Sequence, residues 1–255
     1  MSSWYEECFG LPYLQLYAHR DAEEARENAQ KIVNLLAPPR DEPFLDLGCG
    51  AGRYLCVFRD LRFTDLVGLD LSEPLLKVAA QDLGSETGAS CQGEVELVQG
   101  DMRSIPYREH FATVVSLFTS FGYFSEDAEN AAVLCEVHRA LKPGGKFLID
   151  YMNRYQVVRH LVACDEDWSS VGYVRNVRFL AQRGRRVEKD TLFVNCTGEQ
   201  SRFHESVRLY YPSEMVAMLE DAGFVALQMY GSLEGEDFSP KSPRLVIVAQ
   251  KEGEP

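Results

Sequence analysis

The segment Leu45-Asp46-Leu47-Gly48-Cys49-Gly50-Ala51-Gly52-Arg53 constrains this chain more than any other. An apolar strand runs into a glycine-rich turn, and a helix is expected from about Arg53. That arrangement gathers backbone N–H groups and the positive end of a helix at one point. Glycine lets the backbone approach a ligand with no Cβ in the way. The alternation then repeats. Short apolar runs predict strands at 44–47, 66–69, 95–98, 113–117 and 146–150, and helices are predicted from Glu73 and over 127–141. Short buried strands alternating with helices predict an α/β fold with a parallel sheet covered on both faces.

Flanking segments extend this pattern. Residues 21–37 read as a helix, with Ala22, Ala25, Ala29, Ile32, Val33 and Leu36 on one face, Asp21 as N-cap and Glu24 completing a capping box. Pro38-Pro39 ends it. Residues 165–211 read differently. Period-two stretches at 172–180, 187–194 and 203–211 predict an antiparallel insertion, which divides the chain into a main domain, 1–164 with 212–255, and an inserted one, 165–211. A helix from Ser213, taken as its N-cap, to Ala222 and strands at 224–230 and 244–249 complete the count.

Charge and cysteine usage narrow the function. The net charge of -13 argues against a nucleic-acid partner, whose binders carry a basic footprint. The insertion is locally basic, with eight Lys/Arg and four Asp/Glu between Val171 and Tyr210. Seven scattered cysteines without a C-x-x-C pair fit reduced thiols and no zinc site. With neither a membrane-spanning apolar run nor a secretory start, the reading is a cytoplasmic protein, monomer or homodimer.

Two further elements sit at strand ends. Asp70, 18 residues beyond Gly52, closes Val67-Gly68-Leu69-Asp70-Leu71-Ser72. In doubly wound folds an acid at this distance accepts from ribose hydroxyls. Its alternative role, capping the next helix, suits Ser72 better. Gln99-Gly100-Asp101-Met102 ends the third strand, where an acid can accept from an adenine amino group and an apolar neighbour can cover the ring. Ligands of open α/β sheets bind at these carboxyl ends.

With these segments in place, the chain resembles the class I S-adenosylmethionine (SAM)-dependent methyltransferases. The resemblance rests on 45–52, 68–72, 99–102, 114–118 and the turn Leu141-Lys142-Pro143-Gly144-Gly145. It implies a Rossmann-like, seven-stranded, mostly parallel sheet whose last strand is antiparallel. It implies SAM as cofactor and S-adenosylhomocysteine as product. Carried over, Asp46 and Gly48 would hold the methionine part, Asp70 the ribose, and Asp101 and Met102 the adenine. Leu117 would face the amino group, and Cys49, Gly50 and Leu71 would also bind the cofactor. The stretch 13–17 looks like the family's lid, with Tyr17 closing over the cofactor. Within the family, 100–103 and 116–123 look most like the N-methyltransferases of nucleotide-linked amino sugars.

Methyl transfer from a sulfonium is an in-line displacement in which the protein chiefly aligns and desolvates. The expected acceptor is the N or O atom of a small molecule. Tyr123 and His204 are the candidates for catalysis, and Tyr123, Tyr151, Asn153, Arg154 and His204 for acceptor binding. Asp150 is expected to be hydrogen-bonded scaffolding. The basic insertion fits either an anionic acceptor or a solvated meander. Three rivals remain: a SAM-binding protein without turnover, a nicotinamide-dependent oxidoreductase, and a tRNA or protein methyltransferase, against which the acidic balance weighs. Against the second, Arg53 stands where G-x-G-x-x-G needs its third glycine.

Overall fold

The computed structural model describes residues 3–16, 22–85, 94–169 and 171–253. Its main sheet has seven strands in the order β10-β11-β5-β4-β1-β2-β3. These are β1 (Phe44–Leu47), β2 (Asp65–Asp70), β3 (Glu94–Gln99), β4 (Phe111–Ser116), β5 (Leu141–Met152), β10 (Phe224–Tyr230) and β11 (Arg244–Lys251). Strands β1 to β5 are parallel where they pair, and β11 runs antiparallel to both β5 and β10. The expected fold class is therefore the observed one. The chain steps outward from β1 to β3, then returns to β4 on the other side of β1. That reversal leaves a crevice beyond the carboxyl ends of β1 and β4.

Residue alternation explains why both faces are covered. Leu45 and Leu47 of β1, with Val114 and Ile149, meet Val133, Leu134 and Val137 of α6 (Asp127–Ala140) and Met215 and Leu219 of α8 (Pro212–Asp221). Phe44, Val115 and Leu148 point the other way, onto Ile32 and Leu36 of α3 (Ala22–Leu36) and Leu55 and Phe58 of α4 (Arg53–Asp60). Burying one such aliphatic side chain stabilises the fold by roughly 2 kcal/mol, so both faces need a helical cover. Helix α5 (Glu73–Ser85) follows β2. The Lys142–Gly145 stretch bulges within β5, where pairing jumps from Phe111↔Leu141 to Thr113↔Lys146.

The insertion is an antiparallel meander, β6 (Cys164–Ser169), β7 (Gly172–Ala181), β8 (Arg186–Asn195) and β9 (Gln200–Arg208), paired in that order. Strand β6 was not expected. Two short helices come from outside the sequence reading, α1 (Trp4–Cys8) and α2 (Leu11–Leu16), and a third, α7 (Arg154–His160), starts where Asn153 follows β5. One cap differs. Tyr211, not Ser213, is the N-cap of α8; its backbone N–H donates to Glu214 at 2.6 Å, and Pro212 opens the helix. Asp21 lies outside the described residues. Among the described residues no helix is long and apolar enough to cross a membrane. Cys8, Cys49, Cys135 and Cys164 carry free thiols.

Candidate active site

The crevice is a cavity of about 390 Å³. Its floor is the glycine turn after β1. Gly48, Gly50 and Gly52 have φ of 80°, 55° and 75°, a region that L side chains adopt poorly. A Cβ on Gly48 would stand 2.9 Å from Ser120 Cβ, so the turns leaving β1 and β4 are in contact only because residue 48 is glycine.

Two carboxylates face each other at this floor. Asp70 accepts from the Gly50 backbone at 2.8 Å and from the Ser72 backbone at 2.8 Å, which fixes the turn. Burial raises its pKa, and backbone N–H groups of Ser72, Gly50 and Leu71 oppose the rise. Asp46 is only 3% exposed, and among the described residues no donor reaches its carboxylate. Burial, followed by repulsion from Asp70 and offset by Arg53, pushes its pKa up to about 7. Asp46 lines the cavity, so a cationic group bound there would find an acceptor in this carboxylate. Cys49 beside them is held as the neutral thiol, chiefly by burial.

The far wall is the turn after β4. Phe118 and Thr119 both have positive φ, 54° and 68°, and neither is glycine. Each such residue costs on the order of 1 kcal/mol and persists where its surroundings over-determine it. Asp150 supplies that hold and is scaffolding, as expected: its carboxylate accepts from the Phe118 N–H at 3.0 Å.

The roof is aromatic. Tyr5 of α1, Phe9, and Tyr13 and Leu14 of α2 line the cavity together with Tyr123 and Phe124. Phe9 stacks on Tyr123 with centroids 5.6 Å apart, and Trp4 meets Tyr123 edge-on at 5.1 Å. Ser72 Oγ donates to the Phe9 carbonyl at 2.6 Å, which ties the roof to the residue two beyond Asp70. The aromatic lining thus begins nearer the N-terminus than the stretch 13–17 singled out in the sequence. Helices of five or six residues carry too little periodicity to be read alone. Tyr17 lies outside the described residues.

Asp46, Gly48, Cys49, Gly50, Asp70, Leu71, Asp101, Met102, Leu117 and Tyr123 all line this cavity. Asp101 carries an unforeseen partner. Arg103 donates to its carboxylate from Nη2 at 2.6 Å, from Nε at 3.1 Å and from its backbone at 2.8 Å. Burial would raise the Asp101 pKa, but these bonds from Arg103 hold it below the usual carboxylate range. Little acceptor capacity remains for another donor. Tyr13 belongs to the stretch 13–17 singled out in the sequence, whereas Tyr5, Phe9, Arg53, Tyr54, Phe118 and Ser120 of the lining were passed over. For Arg53 and Ser120 the signal was present, because both stand in motifs already singled out.

The other acceptor candidates lie elsewhere. Tyr151 is 0% exposed, and its hydroxyl donates to the Arg208 carbonyl. Asn153 caps α7 through Oδ1, accepting from Tyr155 at 3.0 Å, and donates to the Ser242 carbonyl at 2.6 Å. Arg154 lies 4.3 Å over the Tyr211 ring and donates to the Leu209 carbonyl at 2.8 Å. The carboxyl end of β5 is therefore covered by the chain leaving β9. His204 is exposed on the meander, 2.8 Å from Asp190, in a separate cleft with Cys8 and Arg202. A His204→Ala variant is expected to keep the S-adenosylhomocysteine dissociation constant and turnover within about twofold of the parent; a tenfold loss in either would return His204 to the site.

Half of the insertion's basic residues turn outward, Arg175, Arg183, Arg185 and Arg202 being exposed, and the other half are engaged within the protein. Arg186 is buried and donates to the Phe124, Tyr123 and Ser206 carbonyls. Arg208 pairs with Asp127 and Glu214, Lys189 with Glu205, and Arg178 with Asp165.

A family model described as a methyltransferase domain matches residues 45–149, the span from β1 to β5 that builds this crevice. That span is a methyltransferase domain, and the proteins the chain is similar to are SAM-dependent methyltransferases. The dTDP-3-amino-3,4,6-trideoxy-alpha-D-glucopyranose N,N-dimethyltransferase of Streptomyces venezuelae is 34% identical over 140 residues, 54% of either chain. The alignment thus spans about half the length of that relative. A SAM-bound amino pentose methyltransferase from Micromonospora echinaspora has a TM-score of 0.66 at 25% identity, covering 94% of this chain and 96% of that one. A SAM-dependent methyltransferase from Clostridium acetobutylicum matches in fold, with a TM-score of 0.81 at 16% identity over 95% of this chain and 97% of that one. In this methyltransferase the cavity fits the family's cofactor on its own chemistry. The positive-φ glycine turn lets backbone come close, the Asp46 carboxylate has no donor among the described residues, and Leu71, Leu75 and Val78 supply an apolar side.

Proposed function

We propose that this methyltransferase moves the methyl group of SAM to an amine nitrogen of a small molecule, with a nucleotide-linked amino sugar as the first class to test. The observation that carries the reading is the Asp46 carboxylate, 3% exposed, beside Asp70 and without a donor among the described residues. A carboxylate in that state suits a ligand with a cationic head, and SAM carries an ammonium and a sulfonium. Bound there, the cofactor supplies the electrophilic methyl group.

The chain's own residues then do four things. Asp46 and the backbone of Gly48 to Gly50 hold the methionine part. Asp70 accepts from the ribose hydroxyls, while its bonds to Gly50 and Ser72 keep the turn in place. Met102 and Leu71 cover the adenine, and with the Asp101 carboxylate engaged by Arg103 the ring is read mainly by shape and backbone. Tyr5, Phe9, Tyr13 and Tyr123 close the mouth and exclude water. An amine acceptor attacks through its lone pair, so it must arrive uncharged. An aromatic-walled mouth disfavours the ammonium form by desolvation and raises the neutral fraction. Of the two residues considered for proton transfer, Tyr123 takes the acceptor-facing place and His204 has none.

The amino-sugar class draws support from the substrate named for the Streptomyces venezuelae relative and for the amino pentose enzyme. Incubation with methyl-labelled SAM and a panel of dTDP-linked amino sugars, their hydroxyl analogues and free amino acids tests it. Label transferred to the amine-bearing sugars, and not to the hydroxyl analogues, is the expected result. SAM binding without transfer to any amine would favour the non-catalytic SAM-binding protein instead.

A further inference from the structure

The wall after β4 is held from behind by a pair of residues that do not themselves line the cavity. Asp150 lies near the end of β5 and is 3% exposed. Arg244 opens β11, and because Val246 pairs with Asp150, Arg244 stands two residues along on the same face. Arg244 Nε donates to Asp150 Oδ1 at 2.7 Å, and Asp150 Oδ2 accepts from the Phe118 N–H at 3.0 Å. The Asp150 carbonyl accepts from the Thr119 N–H at 2.9 Å, and Arg244 Nη2 donates to Thr119 Oγ1 at 3.0 Å. Both positive-φ residues of the turn are therefore gripped by one ion pair.

The turn is also the part of the wall that matters for the cavity. Leu117, Phe118 and Ser120 line it, and Ser120 abuts Gly48 of the opposite turn. L-residues leave the left-handed region readily once nothing holds them there. A relaxed turn would swing Phe118 and Ser120 away from the glycine turn and widen the crevice at the point where the methionine part is proposed to sit.

Resting on the reading that this cavity holds SAM, we infer that Asp150 and Arg244 are positioning residues: the pair locks the Phe118–Thr119 turn in its left-handed shape and thereby sets the affinity for the methyl donor without touching it. A guanidinium can serve Asp150 and Thr119 together because its donors form a rigid fork. An ammonium at the same place can serve only one of them well. The claim is therefore specific to arginine.

S-adenosylhomocysteine binding, measured by calorimetry well below the unfolding midpoint, separates positioning from plain stability. Arg244→Lys keeps a cation beside Asp150 and is expected to raise the dissociation constant about fivefold, and Arg244→Met about tenfold or more. Adding Thr119→Gly to Arg244→Lys is expected to bring the constant back within about twofold of the parent, since glycine takes positive φ without being held. Thr119→Gly alone is expected to bind like the parent. Should Arg244→Met fail to fold, the lysine variant and its glycine rescue decide. A lowered midpoint with an unchanged dissociation constant in Arg244→Lys would overturn the inference, as would weakened binding that Thr119→Gly does not rescue. Absence of binding by the parent chain would instead overturn the functional reading beneath it.

Discussion

Replacing Asp70 with alanine is expected to raise the dissociation constant for S-adenosylhomocysteine by about 100-fold or more, because hydrogen bonds to a charged group are each worth roughly 1.5–3 kcal/mol and several are lost together. One loss is the proposed pair of bonds to the ribose. The other is internal. Without the carboxylate, the Gly50 and Ser72 N–H groups lose their 2.8 Å acceptors, and the glycine turn loses its tether to β2. The lid feels this too, since Ser72 Oγ holds the Phe9 carbonyl. Asp70→Asn is expected to fall between, because an amide can accept from one of the two N–H groups but places a donor toward the other. Calorimetric titration reads both variants. A change below about threefold in Asp70→Ala would mean that the ribose is not held here.

The second large effect is a pH dependence. The Asp46 pKa of about 7 means that the free protein carries this carboxyl largely protonated below neutrality. The sign follows from proton counting. Between the ordinary carboxyl range and about pH 7 the folded chain holds a proton here that the unfolded chain has released. This group therefore removes stability from the ligand-free fold as pH rises through that window. A cationic ligand needs the ionised form, so its affinity moves the other way. SAM is expected to bind about tenfold more tightly at pH 8 than at pH 6, with proton release on binding at the lower pH. Asp46→Asn is expected to bind weakly at both and to flatten the profile. A parent profile that is flat across neutrality would show that no cationic group sits against Asp46.

What the sequence disclosed, and what it withheld, follows from range. Strands β1 to β5 and the glycine turn are written in local alternation and in glycines that need positive φ, so they can be read from a few residues at a time. Asp70 is legible because its distance from Gly52 is fixed by one helix and one strand. The lid is not legible, since five- and six-residue helices exist through ring contacts such as Phe9 with Tyr123, more than a hundred positions away. Strand β6 reads Cys164-Asp165-Glu166-Asp167-Trp168-Ser169, mostly exposed at the edge of the meander, and has no apolar alternation to betray it. Tyr151, Asn153 and Arg154 were placed rightly at the end of β5. What covers that end, the segment from Arg208 to Leu209, is set by how β9 leaves the meander, and no local pattern encodes it. Asp101 and Arg103 are two residues apart, yet their pairing also depends on Phe124, whose ring lies 4.2 Å from the guanidinium.

Thermal unfolding of the parent chain with S-adenosylhomocysteine, and separately with NAD, asks most directly whether the Asp46–Asp70 cavity is a methyl-donor site. At about 100 times its dissociation constant a ligand stabilises by roughly 2.7 kcal/mol, and at this chain length that should raise the midpoint by roughly 5–10 °C. A rise of that size with S-adenosylhomocysteine and none with NAD is the expected result. No rise at millimolar S-adenosylhomocysteine, or a rise with NAD alone, would contradict the assignment.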